Sequence, residues 1–220
     1  MTNNNNNILS VGDLVMHYTT RKGDVSAVDG VSFDLERGKS LGLVGESGCG
    51  KTSVAFSLMR LLPDNAKIKD GYVMIDGTDI LALDHQAMLK FRWNRIAMVF
   101  QAAMNALNPV YTVGDQIVEA MELHLDLASK AEARERIASL FELVGLDPPL
   151  MYRYPHEFSG GMRQRAVIAM ALSCNPDIII ADEPTTALDV IVQDRILREL
   201  KNIQHDMGMS MIYISHDIAV

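Results

Sequence analysis

The sequence reads Gly45-Glu46-Ser47-Gly48-Cys49-Gly50-Lys51-Thr52 between an apolar run, residues 41–44, and a stretch of helical character, residues 53–62. This is a complete G-x-x-x-x-G-K-[ST] phosphate loop in the context of a strand, a loop and a helix. Glycines let the backbone close around an anion, so that N–H groups and the helix N-terminus point at phosphates. The motif therefore predicts a nucleoside triphosphate site, with Lys51 supplying positive charge, the Thr52 hydroxyl facing Mg²⁺ and Ser53 adjoining the loop.

The composition favours an ordinary soluble domain that does not bind nucleic acid. The 220 residues are 48% hydrophobic and 22% charged, with a formal net charge of −8 and no run of five basic residues. Proteins that bind nucleic acid through its phosphates usually carry a basic face, so that partner is disfavoured. Cys49 and Cys174 are the only cysteines, which suits a reducing cytosol. The sequence contains neither a signal-peptide pattern nor about 18 consecutive apolar residues, and residues 1–7 are expected to be a disordered tip.

The hydrophobic pattern predicts a single α/β domain, residues 1–220. An antiparallel β leaf and the phosphate-loop core are expected in residues 8–100, a helical subdomain in residues 101–165, and the remaining core in residues 166–220. Strands that alternate in polarity are predicted at 8–18 and 27–35. Almost wholly apolar strands, of the kind that helices cover on both faces of a parallel sheet, are predicted at 41–44, 96–100, 178–181 and 211–215. Amphipathic helices are predicted at 113–127, 130–144 and 161–174.

Two adjacent carboxylates follow the apolar run at 178–181. Alternation along a strand directs neighbouring side chains differently, so Asp182 and Glu183 can perform different tasks. We expect Asp182 to hold a hydrated Mg²⁺ and Glu183 to polarise the water that attacks the γ-phosphate. Acidic residues at a strand end are common, but a phosphate loop upstream in the same sheet favours the catalytic interpretation.

A second candidate anion site is formed by Ser159-Gly160-Gly161, which precedes the helix predicted at 161–174. A hydroxyl, two glycines and free N–H groups at a helix N-terminus can together bind a phosphate. The segment from Phe158 to Arg165 resembles the signature of ATP-binding cassette (ABC) ATPases, and its Ser159 lies 23 residues before Asp182. This resemblance implies a RecA-like P-loop NTPase core of the ABC ATPase type, with an N-terminal antiparallel leaf and a helical insert, that binds ATP and Mg²⁺ and hydrolyses ATP.

Four further residues match positions of the ABC pattern. By that resemblance, Gln101 senses magnesium and contacts a membrane partner, and Asp189 lies in the loop that follows the two carboxylates. His216 matches the histidine that contacts the γ-phosphate, and Tyr18 the aromatic residue that stacks on adenine. Each has an ordinary structural alternative. Gln101 could be a loop end and Asp189 a helix cap, whereas His216 could end a strand and Tyr18 could be a core aromatic residue. Their order and spacing together favour the family.

The resemblance narrows to the dipeptide, oligopeptide and nickel importer ATPases, and it is carried by residues 105–110, 154–172 and 181–190. Methionine at position 162 is typical of one ATPase type of this family, which pairs with a sister subunit that has glutamine at the equivalent position. A heterodimer is therefore implied, bound to two membrane-spanning permease subunits at the cytoplasmic face of the membrane and served by an extracytoplasmic solute-binding protein. Ala102-Ala103 replaces the acidic residue and proline that usually follow Gln101. Because family members continue beyond the histidine, the C-terminal part of the fold is expected to be missing here.

Other functions remain open at this point. An importer of nickel, glutathione or another small solute would carry the same motifs, because solute choice resides mainly in other subunits. A soluble ABC ATPase acting on nucleic acid or the ribosome usually carries an insertion, and none is recognisable in this sequence. A non-catalytic regulatory module would be expected to lack Lys51, Asp182 or Glu183, and all three are present.

Overall fold

The computed structural model describes residues 6–100, 106–127, 129–185 and 190–216. In chain order, the elements are β1 (Asn7–Thr20), β2 (Gly23–Glu36), β3 (Ser40–Val44), α1 (Lys51–Met59), β4 (Ala66–Ile75), β5 (Thr78–Asp79), α2 (His85–Phe91), β6 (Ile96–Val99), α3 (Val113–His124), α4 (Lys130–Leu143), α5 (Gly160–Leu172), β7 (Ile178–Asp182), α6 (Val190–Met207) and β8 (Ser210–Ser215). Short 3-10 helices, Pro148–Tyr152 and Pro155–Glu157, connect α4 to α5. Among the described residues, no helix is both long and apolar enough to span a membrane.

The described strands form two four-stranded sheets. One is antiparallel, in the order β2-β1-β4-β5, and the other is parallel, in the order β3-β8-β7-β6. The order of the parallel sheet brings β3, which leads into the phosphate loop, beside β8 and places β7 next. The carboxyl ends of parallel strands meet at one edge, where α/β proteins usually bind ligands. The register is consistent with this, since Val44 pairs with Ser215 and Asp182 pairs with Ile214.

Two hydrophobic cores lie on opposite faces of the parallel sheet. Along β7, Ile179 packs with the helical part of the chain, whereas Ile178 and Ile180 pack with α1 and the antiparallel sheet. Along β8, Met211 and Ile212 divide between the two cores in the same way. Both faces of these strands are covered, which explains their continuous apolar sequence.

The structure confirms the predicted α/β class and adds elements that the pattern did not predict. The strands β4 and β5 complete the antiparallel sheet, and α2 and α6 were likewise not predicted. Asn7, assigned to a disordered tip, begins β1, and the Asn6 carbonyl accepts a hydrogen bond from the Arg37 amide. That part of the prediction is wrong because pairing with β2 orders the polar residues; residues 1–5 lie outside the described part. The helices α3 and α4 lie within the stretch expected to form a helical subdomain.

Candidate nucleotide site

The phosphate loop depends on glycine for both its conformation and its packing. Gly48 and Gly50 have φ values of 83° and 99°, in the left-handed region that other residues rarely adopt. Gly50 also precedes α1, and a Cβ added to it would lie only 2.2 Å from the Ala27 carbonyl oxygen of β2. The antiparallel sheet therefore supports the loop directly, and only glycine fits at this contact.

Lys51 lies at the first position of α1 and bends back over the loop. Its Nζ donates hydrogen bonds to the carbonyl oxygens of Gly45 and Glu46, both at 2.7 Å. The Cys49 amide closes the loop by donating to the same Glu46 carbonyl at 3.3 Å. The ammonium group is thus held beside the loop, at the end of the helix that attracts anions.

Asp182 ends β7 and is only 2% exposed. Burial raises the pKa of its carboxyl group, and the nearby Glu183 charge adds to this effect. A hydrogen bond from the Thr52 hydroxyl and the charge of Lys51 act in the opposite direction, lowering the pKa. Asp182 and Thr52 therefore present hard oxygen ligands side by side, a donor set that suits Mg²⁺.

We predict that Asp182→Asn stabilises the folded chain at neutral pH. Because burial raises the pKa of Asp182 in the folded state, stability is lost as pH rises from the ordinary carboxyl pKa through the raised one. Asparagine removes the charge and can still accept the hydrogen bond from Thr52. We expect the melting temperature to rise by about 2–4 °C at pH 7, corresponding to ~1 kcal/mol in a chain of this length. Near pH 4 the difference should largely vanish, and a variant that melts lower than the parent at pH 7 would contradict the argument.

Glu183 follows Asp182 in a strained conformation that turns its side chain toward β8. Its φ is 47°, an unusual value for a residue with a side chain, and its amide donates to the Ile214 carbonyl at 3.0 Å. The carboxylate atom Oε1 lies 3.0 Å from Nδ1 of His216, the residue that follows β8. The glutamate is largely covered, whereas the histidine is exposed. Two residues separated by 33 positions in sequence thus meet at the sheet edge beside the phosphate loop.

Tyr18 lies on β1, between Val25 of β2 and Ala66 of β4. Its hydroxyl is 3.3 Å from Oγ of Ser53, in the first turn of α1. The structure therefore places this aromatic residue next to the end of the phosphate loop. Its predicted stacking on adenine remains a prediction.

The predicted second anion site forms the N-terminus of α5. Ser159 is the N-cap, and its Oγ accepts a hydrogen bond from the Met162 amide at 3.3 Å. Gly161 packs closely against α6, since an added Cβ would lie 3.1 Å from Cγ1 of Val192. We call Ser159–Gly161 the anion cap. Its role toward ATP is a prediction, and the predicted residues Gln101 and Asp189 lie outside the described residues.

Sequence reasoning missed the support that surrounds these groups. It did not identify the Ala27 carbonyl under Gly50 or the interhelical ion pair between Arg165 and Glu199. It also missed a cavity of about 560 Å³ between the parallel sheet and α6, lined in part by Glu183 and His216. Tyr213 borders this cavity, and burial raises the pKa of its phenol to about 12. Contacts of this kind are tertiary and have no local sequence signal.

The fold and the converging phosphate-binding groups define a P-loop nucleotide-binding cassette. A family model described as ABC transporter matches residues 28–186, and the chain belongs to this family. The chain is 50% identical to the dipeptide transport ATP-binding protein DppD of Bacillus subtilis (strain 168), over 97% of this chain and 64% of that protein. It is 46% identical to the oligopeptide transport ATP-binding protein OppD of Escherichia coli (strain K12), over 97% of this chain and 63% of that protein. The chain thus spans somewhat less than two thirds of the length of these relatives.

Solved structures show the same architecture. The dimeric, post-hydrolysis structure of an ATP-binding cassette bound to ADP and Pi matches with a TM-score of 0.84 and 28% identity. The match covers 96% of this chain and 89% of the other. The relatives confirm the resemblance to dipeptide and oligopeptide transport ATP-binding proteins, and the solved structure confirms the ABC ATPase fold.

Proposed function

We propose that this chain forms the ATP-hydrolysing part of an ABC importer that takes up dipeptides or oligopeptides across the cytoplasmic membrane. One observation carries the proposal: Lys51, the Thr52–Asp182 pair and the Glu183–His216 pair converge at the carboxyl edge of the parallel sheet. Each group matches one requirement of triphosphate hydrolysis, namely charge neutralisation, metal binding and orientation of water.

Binding of the triphosphate rests on the phosphate loop and Lys51. The ammonium group, which now donates to the Gly45 and Glu46 carbonyls, can exchange these neutral acceptors for phosphate oxygens. The phosphate oxygens carry negative charge and the carbonyl oxygens do not, so attraction between opposite charges favours the exchange. Tyr18, beside Ser53, would border the adenine.

Thr52 and Asp182 fit Mg²⁺, and the pair would hold it beside the phosphates. When bound, the ion neutralises charge on the phosphate oxygens. The chain would supply two oxygen ligands for the ion. Thr52 contributes a hydroxyl oxygen, and Asp182 contributes a carboxylate that burial keeps away from bulk water.

We infer that Glu183 orients the attacking water. A carboxylate beside the γ-phosphate can accept a hydrogen bond from that water and polarise it for in-line attack. The 3.0 Å contact with His216 fixes the carboxylate in position, and the strained backbone at Glu183 directs it there. His216 is itself exposed and would contact the γ-phosphate.

The anion cap would complete the site of a second cassette. Its helix N-terminus and glycines suit a phosphate, and the similar solved cassette bound to ADP and Pi is described as dimeric. We infer a head-to-tail pair in which the cap of each subunit closes over ATP held by Lys51 of the other. A glutamine-type sister subunit is the partner we favour, with Gln101 and the helical part of the chain facing two permease subunits at the cytoplasmic face of the membrane.

A peptide solute is favoured by the relatives, which are named as dipeptide or oligopeptide transport proteins. Nickel, glutathione or another small solute is the alternative. All of these transporters would use the same ATP-contacting residues, so a transport assay distinguishes the solutes.

The test uses the full-length protein reconstituted with its permease, sister and solute-binding subunits in lipid vesicles. We expect ATP, and not ADP, to drive uptake of a labelled dipeptide, with no uptake of Ni²⁺. Uptake of Ni²⁺ alone would overturn the peptide assignment. Hydrolysis that is stimulated by nucleic acid or ribosomes, without uptake of any solute, would overturn the importer assignment.

A further inference from the structure

The helix that carries the anion cap is fastened to α6 at two points. Near its start, Gly161 lies against Val192 of α6. One turn later, Nη2 of Arg165 lies 3.0 Å from Oε1 of Glu199. The two contacts are one turn apart on α5 and about two turns apart on α6, which fixes both the position and the rotation of α5.

Arg165 also holds a third element. Its Nη1 donates to the Gly145 carbonyl at 3.1 Å, just beyond the end of α4. Gly145 has a φ of 69°, and a Cβ there would approach the same nitrogen to 3.0 Å. Arg165 therefore joins α4, α5 and α6 through a single guanidinium group, whose planar set of donors suits such bridging.

The pair between Arg165 and Glu199 is mostly covered, with side-chain exposures of 11% and 22%. Glu199 also accepts from Arg195 at 3.2 Å, one turn earlier on α6. Removing one member of a covered ion pair leaves the other charge poorly solvated, so such pairs are sensitive to substitution. The neighbouring Gln164 differs, because its Nε2 has no hydrogen-bond partner among the described residues. Arg165, in contrast, has both an ion pair and a hydrogen bond to a backbone carbonyl.

We propose that Arg165 and Glu199 are positioning residues for the anion cap. The inference rests on the proposed function, in which the cap closes over ATP held by a second cassette. Helix α6 begins at Val190, seven residues after Glu183. The ion pair thus ties the cap, which serves the partner's ATP, to the helix that follows the carboxylate serving the subunit's own ATP. The geometry of the ion pair therefore sets the position of the anion cap when two cassettes associate.

The first experiment measures amide hydrogen exchange at Met162 and Arg163, whose amides donate to Oγ and the carbonyl of Ser159. In the full-length, nucleotide-free subunit we expect Glu199→Gln to speed their exchange about tenfold. The matched control is Asp194→Asn, which breaks the pair with Arg198 on the exposed face of α6, where the side chains are 61% and 76% exposed. The control should leave exchange at the cap unchanged. Unchanged exchange in Glu199→Gln would overturn the proposal.

The second experiment measures ATP hydrolysis by the complete complex. The cap contacts ATP only when two cassettes associate, so Glu199→Gln should leave ATP binding by the isolated subunit unchanged. In the complete complex it should raise KM for ATP about tenfold and change kcat less than twofold. Glu199→Asp should restore most of the KM. Faster exchange with an unaltered KM would overturn the positioning role, because the pair would then only stabilise the helices. If the parent complex does not hydrolyse ATP, the proposed function fails, while hydrogen exchange still decides whether the pair holds the cap.

Discussion

Replacing Glu183 with glutamine is expected to lower the ATP turnover of the assembled full-length protein by about a thousandfold, within the range for loss of a general base. Glutamine keeps the shape of the side chain and can still bond to His216, but it cannot accept a proton from water. Lys51, Thr52 and Asp182 are untouched, so ATP should still bind. We therefore expect the variant to accumulate as an ATP-bound dimer, detected by size-exclusion chromatography with and without Mg-ATP.

The matched control for Glu183→Gln is Glu135→Gln, the same substitution on the exposed face of α4. It should keep parental turnover and form no trapped dimer. Turnover of Glu183→Gln within about tenfold of the parent would show that another group performs the base function. Such a result would leave the binding role of Lys51 and Thr52 intact.

Much of the fold is encoded in local patterns. The apolar runs at 178–181 and 211–215 predicted covered strands of a parallel sheet, and the structure has β7 and β8 there. Because parallel strands end at a common edge, the groups that follow them come close together in space. Asp182, Glu183 and His216 do lie together beside the phosphate loop.

Other elements have weaker local signals. The strand β4 includes Lys67, Lys69, Asp70 and Gly71, residues that suit a turn as well as a strand. It is a strand because it pairs with β1, and Gly71 lies at an irregularity where an added Cβ would approach the Asp13 carbonyl to 2.6 Å. The conformation of β4 is decided by pairing with a strand that is distant in sequence, and the residues near β4 carry no information about that pairing.

The supporting contacts of the site were also unpredictable from sequence. Arg165 and Glu199 are 34 residues apart, and a charged residue on a helix usually faces solvent. The left-handed backbone of Glu183 has no compositional cue, because such strain is found mainly with glycine, asparagine or aspartate. Motifs therefore identify the groups that we propose contact the nucleotide, whereas tertiary packing decides how firmly and at what angle these groups are held.

Gly50→Ala is expected to damage both stability and nucleotide binding. The new methyl group would lie 2.2 Å from the Ala27 carbonyl oxygen, and the residue would keep a φ of 99°. A backbone oxygen cannot turn aside as a side chain can, so the loop or β2 must shift. Overpacking and backbone strain together cost about 3 kcal/mol, which lowers the melting temperature by roughly 6–12 °C. Displacement of the loop should weaken ATP binding about a hundredfold, equivalent to one or two charge-assisted hydrogen bonds.

The matched control for Gly50→Ala is Gly77→Ala, in the turn between β4 and β5. Gly77 also has a positive φ, 77°, but an added Cβ meets no atom within 4 Å. Gly77→Ala should therefore lose only the stability that the left-handed backbone costs, about 1 kcal/mol, and its melting temperature should fall by about 2–4 °C. Its affinity for ATP should not change. Calorimetry and titration with a fluorescent ATP analogue measure the two effects. Equal melting temperatures for the two variants would show that β2 yields at Ala27, and that backbone conformation alone makes glycine necessary at position 50.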